Sequence, residues 1–310
     1  MLIDKQLKCG YCGNRISFNR HHVKEMMFGS GQIFEYAECL GCGSLYQPNI
    51  PENLSEFYPK NYYSFKQLER SSPIKMLLKT IRYQFFRNGL TFLKPFYGDW
   101  LKFTKVSKHS KIADLGCGHG QLLYELFASG FRNLEGYDPY IEKEVIINPY
   151  LTLFNKSVFE MKGKYDLIMM HHAFEHMVNY AKAIEKCFSL LNPGGYLLIR
   201  VPVTDAQVWK EEGVNWVQLD APRHLTIPST KGLIALAKSI GFSVKGIVFD
   251  STSFQFWGTE LYKKGIPLKE GEDKLQAIFK SELKEFHKKA LLYNKKGIGD
   301  QACLYFYRAF

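Results

Sequence analysis

From residue 111 onward, short apolar runs alternate with stretches whose apolar positions recur every three or four residues. Continuous or period-two apolar runs mark strands, and the i, i+3, i+4, i+7 spacing marks helices. Strands are expected near 111–116, 133–137, 151–154, 165–170, 195–201, 242–249 and 302–309, with helices at 120–129, 179–191 and 230–240 between them. That alternation predicts an α/β fold, a doubly wound, mostly parallel seven-stranded sheet. Pro193-Gly194-Gly195 reads as a turn before the fifth strand, and Gly241 ends the helix before the sixth. A long insertion, 252–300, has a helical pattern at Leu275, Ile278, Phe279 and Leu283 and separates the last two strands.

Upstream the pattern changes. Residues 1–60 are short on helical period and rich in Gly, Asn, Tyr and Cys, which suits a small turn-rich module. Phe57-Tyr58-Pro59-Lys60-Asn61-Tyr62-Tyr63 reads as a connector. In 61–108 the positions Ile74, Leu77, Leu78, Ile81 and Phe85 follow the helical template, predicting a helix that packs against the domain at 109–310.

Composition adjusts this picture little. A chain of 310 residues, 46% hydrophobic and 15% aromatic, can bury one large core and an accessory module. The start, Met1-Leu2-Ile3-Asp4-Lys5, lacks a charged segment followed by an apolar run, and no stretch reaches the roughly eighteen apolar residues of a membrane span, so a cytoplasmic protein is expected. Residues 1–110 carry 16 Lys and Arg against 8 Asp and Glu, and residues 111–310 carry 25 against 22, so the net charge of +11 is mostly N-terminal. Most of that surplus lies between Lys66 and Lys108, interleaved with bulky apolar residues. A segment of this kind could face nucleic acid, an anionic membrane or a phosphorylated small molecule, or be a solvated helix face.

The densest chemistry sits at Asp114-Leu115-Gly116-Cys117-Gly118-His119-Gly120, where an apolar strand enters a glycine turn and then a helical run. At the carboxyl end of a strand in an open α/β sheet, glycines let backbone approach a ligand closely. The spacing lacks the further glycine of the dinucleotide fingerprint. The next strand ends at Asp138, placed to accept hydrogen bonds from ribose hydroxyls.

Together, Asp114 to Gly120 and Asp138 resemble the first two cofactor motifs of class I S-adenosylmethionine-dependent methyltransferases, over roughly 109–310. Tyr165-Asp166-Leu167-Ile168, His171-His172-Ala173-Phe174-Glu175-His176 and Leu191-Asn192-Pro193-Gly194-Gly195 follow in the order and spacing of that family. The resemblance implies a Rossmann-like methyltransferase fold and S-adenosylmethionine held by Asp114, Gly116, Cys117, Gly118, Gly120, Asp138, Pro139 and His171. After the third strand the acid often found near the adenine amino group is missing, which leaves Ser157, the backbone of Val158 and packing from Phe159. Asp138-Pro139-Tyr140 is similar to the Asp/Asn-Pro-Pro-Tyr motif of amine methylases, but that motif belongs after the fourth strand, so oxygen or carbon acceptors are favoured.

Of the seven cysteines, Cys9/Cys12 and Cys39/Cys42 form two knuckles, the spacing of a closed tetrahedral zinc site with a structural role. His21 and His22, between the knuckles, read as exposed loop residues, and Cys117, Cys187 and Cys303 as small apolar residues. A cysteine-knuckle module, a Tyr-Tyr connector and a methyltransferase domain resemble a group that includes sugar C-methyltransferases. Trp216 to Leu225 and Phe256-Trp257-Gly258-Thr259-Glu260 also look like that group.

An oxygen or carbon acceptor must lose a proton, and His is the usual base near neutral pH. The candidates are His172, Glu175, His176 and His224, with His224 expected to be the base and Arg223 to bind an anionic part of the acceptor. Glu175 and His176 could instead orient a helix. The expected acceptor is a small molecule, a sugar or nucleotide-linked sugar. RNA methylation and a non-catalytic interaction protein that keeps the fold are the alternatives, and membrane-surface contact through Phe85, Phe86, Phe92, Phe96 and Trp100 is a further expectation.

Overall fold

In the computed structural model, residues 8–15, 17–58 and 68–310 are described. Residues 59–63 of the connector and Lys66 of the basic segment lie outside them.

Strands β1 (Phe18–Lys24), β2 (Ile33–Cys39) and β3 (Leu45–Tyr46) come first, then helices α1 (Pro73–Arg87) and α2 (Gly98–Thr104). The main domain follows as β4 (Ile112–Leu115), α3 (Gln121–Ala128), β5 (Leu134–Tyr137), β6 (Val145–Asn148), β7 (Leu151–Phe154) and β8 (Tyr165–His171). It continues with α4 (Tyr180–Leu190), β9 (Leu191–Pro202), α5 (Gln207–Glu212), β10 (Thr226–Ile227), α6 (Thr230–Ile240) and β11 (Ser243–Phe249). Helices α7 (Phe254–Lys263), α8 (Leu268–Asp273), α9 (Leu275–Ile278) and α10 (Leu283–Lys296) fill the insertion before β12 (Gln301–Tyr307).

The large sheet has the order β11-β12-β9-β8-β4-β5-β7-β6. Strands β4, β5, β7, β8 and β9 run parallel, and β12 lies antiparallel between β9 and β11. Alternation along each strand feeds two cores: Leu167 and Met169 of β8 face α1, α2 and α3, while Ile168 and Met170 face α4 and α6.

The seven expected strands are joined by an eighth. Val145-Ile146-Ile147-Asn148 turns back through Pro149-Tyr150 and pairs antiparallel with β7 at the sheet edge. With Val145 and Ile146 exposed, the run shows no burial pattern to mark it as a strand. Pro193-Gly194-Gly195 is not a free turn but a bulge inside β9: Tyr165 pairs with Leu191 and Leu167 with Tyr196, so β9 carries extra residues there.

Helix α1 forms where expected but buries the other side. Ile74, Leu77, Leu78, Ile81 and Phe85 are exposed, whereas Tyr83 and Phe86 enter the core. The docked row is fixed by Lys79 on Glu125 at 2.6 Å and by Thr80 Oγ1 donating to the Ala128 carbonyl at 3.1 Å. Those polar anchors and the two aromatics outweigh the aliphatic stripe.

The small module is not self-contained. Its sheet runs β1-β2-β3-β10, so the last strand comes from the main domain. A third core joins Val23, Tyr36 and Leu45 to Trp216, Val217 and Leu261. His21 and His22 therefore sit in β1 and not in a loop, with His21 Nε2 at 2.9 Å from Glu38.

Candidate active site and cysteine cluster

Strand β4 ends in the glycine loop because Gly116, Gly118 and Gly120 all take positive φ, a region costly for other L-residues. Space is as tight as conformation: a Cβ on Gly116 would stand 2.5 Å from Ala173 Cβ, and one on Gly120 would meet the end of Leu153. The loop thereby lies against the 172–176 segment. The Cys117 thiol is directed beneath Gly136, so only its backbone is offered toward a ligand.

Asp138 is clamped across this loop. One carboxylate oxygen accepts the Gly118 N–H and the other the Tyr140 N–H, each at 2.9 Å, and each keeps a second lone pair. Asp114 lies beside it, 4% exposed, with no hydrogen-bond partner for Oδ1 among the described residues. Burial, with the charge of Asp138 adding, pushes the Asp114 carboxyl up to about 8. An orphaned buried carboxyl next to a glycine cradle fits a cationic ligand. The Ser157 hydroxyl donates to Glu160 at 2.8 Å, Val158 is buried, and the Phe159 ring stands half exposed. His171 packs on Trp100 at 4.2 Å with neither ring nitrogen hydrogen-bonded among the described residues, and Phe96, Trp100, Leu122, His171, Arg200 and Asp250 line a cleft of about 380 Å³.

Beyond the loop lies a polar cluster. His172, at the end of β8, has φ +52°. Its Nδ1 is 3.3 Å from Glu175 Oε1, and Arg200, itself held by Asp250 at 2.6 Å, donates to its Nε2 at 2.7 Å. His224 Nε2 is 3.9 Å from the same Glu175 oxygen, and the rings of His176 and His224 lie 4.9 Å apart. Burial works against ionisation of Glu175, but His172, His176 and His224 together hold its carboxyl down to about 2. Burial, then the neighbouring His176, depresses His224, so it is neutral at physiological pH. The four sequence candidates thus meet in one place.

Arg223 does not do what was expected of it. Its guanidinium is bonded to Asp220 at 2.7 Å, to Glu25 at 2.9 Å and to the Phe57 carbonyl at 3.3 Å, and is completely buried, which puts it out of an acceptor's reach. It ties the small module to the loop that carries His224. Tyr36 adds a second tie by donating to the His224 carbonyl at 2.7 Å. Sequence reading missed Asp220, Arg200, Tyr36 and Glu25. Asp220 lay within the 216–225 run, while the others carry no local signal.

The cysteines also meet. Cys9 Sγ lies 3.7 Å from Cys42 Sγ, and Cys12 Sγ 3.8 Å from Cys39 Sγ. A disulfide would require about 2.05 Å. A zinc tetrahedron with bonds of about 2.3 Å has edges of about 3.8 Å, so the four thiols fit that ion. A hydrogen bond from Cys9, with Ser44 assisting, pulls the Cys42 thiol down to about 5. The cluster is packed on the main domain: Tyr11 stacks on Tyr180 at 4.5 Å and bonds Thr226 at 2.6 Å.

Residues 90–245 match the family model described as a methyltransferase domain. No curated protein matches the chain. Among solved structures, the chain is similar to the cyclopropane synthase MmaA2 from Mycobacterium tuberculosis, with 16% identity over 84% of this chain and 100% of that one and a TM-score of 0.46. It is also similar to an S-adenosylmethionine-dependent methyltransferase from Mesorhizobium loti, with 12% identity over 72% and 100% of the two chains and a TM-score of 0.44. The mycolic acid cyclopropane synthase CmaA1, solved with S-adenosylhomocysteine, shares 16% identity over 67% and 80%, with a TM-score of 0.43. The family match spans half of the chain, on a mostly parallel sheet that carries the glycine loop and Asp138 at the carboxyl ends of its central strands, and so this protein belongs to the methyltransferase-domain family and is an S-adenosylmethionine-dependent methyltransferase.

Proposed function

We propose that this enzyme moves the methyl group of S-adenosylmethionine to an oxygen or carbon atom of a small acceptor, a sugar or nucleotide-linked sugar. The observation that carries this reading is the contact of the glycine loop, through Gly116 and Ala173, with the cluster of His172, Glu175, His176 and His224. Donor and acceptor machinery then share the carboxyl ends of the central strands. The sugar class rests on the likeness of the cysteine knuckles and the 216–225 run to the sugar C-methyltransferase group.

Transfer from a sulfonium is an in-line displacement, so the protein has to align the reactants and exclude water. Asp138 would accept from the ribose hydroxyls through its remaining lone pairs. Asp114, which keeps its proton without a ligand, would release it and offset the cofactor's positive charge on binding, and the Gly116, Cys117, Gly118 and Gly120 backbone would lie along it. Pro139, Ser157, Val158 and Phe159 would border the adenine, and His171 the cleft. His224, neutral and with Nδ1 bonded to the Gln218 carbonyl at 2.7 Å, presents Nε2 as the base for the acceptor proton. Cys9, Cys12, Cys39 and Cys42 would hold a structural zinc.

Labelled S-adenosylmethionine offered in parallel to nucleotide sugars, RNA and lipid-linked saccharides tests the acceptor. Methyl incorporation into RNA alone would refute the sugar reading. His224→Ala should lower kcat by about 10²–10⁴-fold, the range for loss of a general base, while affinity for S-adenosylhomocysteine holds.

The exposed stripe of α1 favours one addition, docking on an anionic membrane surface. Ile74, Leu77, Leu78, Ile81 and Phe85 form an outward row continued by exposed Leu90, Phe92 and Phe96. The helix has no acidic residue and exposes Lys75 and Arg87, while Lys79 is held by Glu125; the exposed charges are complementary to anionic lipid. Among the described residues no helix is long and apolar enough to cross a membrane. Co-sedimentation with phosphatidylglycerol vesicles should be seen, and absence of binding at low salt would end this reading.

A further inference from the structure

Glu175 is wholly buried, and among the described residues neither of its carboxylate oxygens accepts a hydrogen bond of normal geometry. A buried charge left in that condition is costly unless it is paired or bound to a metal. Three imidazoles surround it, and their hydrogen bonds fix which nitrogens carry protons. Arg200 can only donate, so the His172 nitrogen it contacts is the acceptor and His172 carries its hydrogen on Nδ1, toward Glu175.

The other two rings are fixed in the opposite sense. His176 Nδ1 lies 2.8 Å from the Arg223 carbonyl and His224 Nδ1 2.7 Å from the Gln218 carbonyl. A carbonyl can only accept, so each of these rings carries a hydrogen on Nδ1, which leaves Nε2 as the nitrogen available to another partner. A ring nitrogen of each histidine and a Glu175 oxygen lie within 4.8 Å of one another. His224 Nε2 stands 3.9 Å from Glu175 Oε1 and 3.9 Å from Asp220 Oδ2, beyond hydrogen-bond distance of either carboxylate.

We propose that Glu175, His176 and His224 bind a divalent first-row transition-metal cation. Two imidazoles and one carboxylate are a donor set for such ions that leaves coordination positions open. The carbonyls of Arg223 and Gln218 serve as the outer partners that orient metal-bound histidines, and the Asp250–Arg200–His172 chain supports Glu175 from the other side. His172 and Asp220, two of the non-glycine residues with positive φ, flank the ligands. The four-thiolate cluster is separate and closed, whereas this centre lies against the glycine loop through Ala173. Its open positions would hold oxygen atoms of the acceptor, a role that rests on the function proposed above, whereas the binding of the cation does not. A ligated His224 would then act through the cation and not as a free base.

The test is made on the purified full chain. After dialysis against Zn²⁺, elemental analysis should give two zinc ions per chain in the wild type and one in Glu175→Gln and His224→Ala. Mn²⁺, which suits nitrogen and carboxylate donors and not a thiolate cluster, should bind at one ion per chain by paramagnetic resonance, at least tenfold more weakly in each variant. Calorimetry with S-adenosylhomocysteine, run on the same samples, verifies that the variants are folded and tests the methyltransferase reading separately. If a variant does not fold, His176→Gln replaces it. One zinc and no retained Mn²⁺ in the wild type would overturn the proposal. So would equal metal content in folded wild type and variants, which would leave His224 as the base alone.

Discussion

Asp114 shows how a single buried group ties stability to pH. Its folded carboxyl titrates at about 8, against an ordinary value of 3.8. Between those values the native chain keeps a proton that the unfolded chain has released, so its stability falls as pH rises, by at most about 1.4 kcal/mol per pH unit. Asp114→Asn removes this slope. In urea unfolding of the ligand-free protein, the variant should gain on the wild type as pH rises from about 4 to about 8, and the gap should then stop growing. Gly120 is constrained by shape and not charge. Its alanine variant should lose roughly 1–2 kcal/mol from left-handed backbone, with more from the Leu153 contact, and thermal unfolding would show it.

At the scale of elements, β10 and α1 each carry a consequence. β10 pairs Thr226 with Tyr46 and Ile227 with Leu45, only two residues beyond His224. Removing the zinc proposed for the four cysteines, or substituting Cys39→Ser, should therefore disturb the proposed acceptor side before the cofactor side. The expected result is a fall in kcat with nearly unchanged affinity for S-adenosylhomocysteine, and a parallel loss of both would contradict it. On α1, Leu77→Glu and Leu78→Glu place charge on an exposed row. Stability should move by less than about 0.5 kcal/mol while vesicle binding is lost.

The same elements show what could be read in advance. The strands and helices from 111 onward lay in local periodicity, and the cysteine pairs lay in spacing. The docked side of α1 did not, because two apolar-compatible rows share that helix and only the partner α3 chooses between them. The edge strand β6 was overlooked for a related reason: an exposed apolar run has no period to betray it.

For the whole molecule, Arg223 is the keystone between module and main domain. Burial raises the carboxyls it meets. The Phe28 and Ser30 backbone N–H groups with Arg223 nevertheless hold Glu25 below its usual range, and Arg223 with His224 does the same for Asp220. Arg223→Met would leave two buried carboxylates without their cation, and a loss of about 3–5 kcal/mol is expected. Denaturant unfolding measures it, and a change under 1 kcal/mol would show the module and domain to be held by their apolar contacts alone.

The sequence by itself determined the fold class, the glycine loop with Asp138, the two cysteine pairs and the list of polar candidates, because each is written in residue types at short spacing. Only the tertiary structure decided which candidates meet and in what state. Glu175 and His224 are 49 residues apart in the sequence, and Glu25 reaches Arg223 across 198. Such pairings, the protonated nitrogen of each ring and the conversion of Arg223 from acceptor ligand to internal clamp depend on burial and on partners that chain-local patterns do not encode.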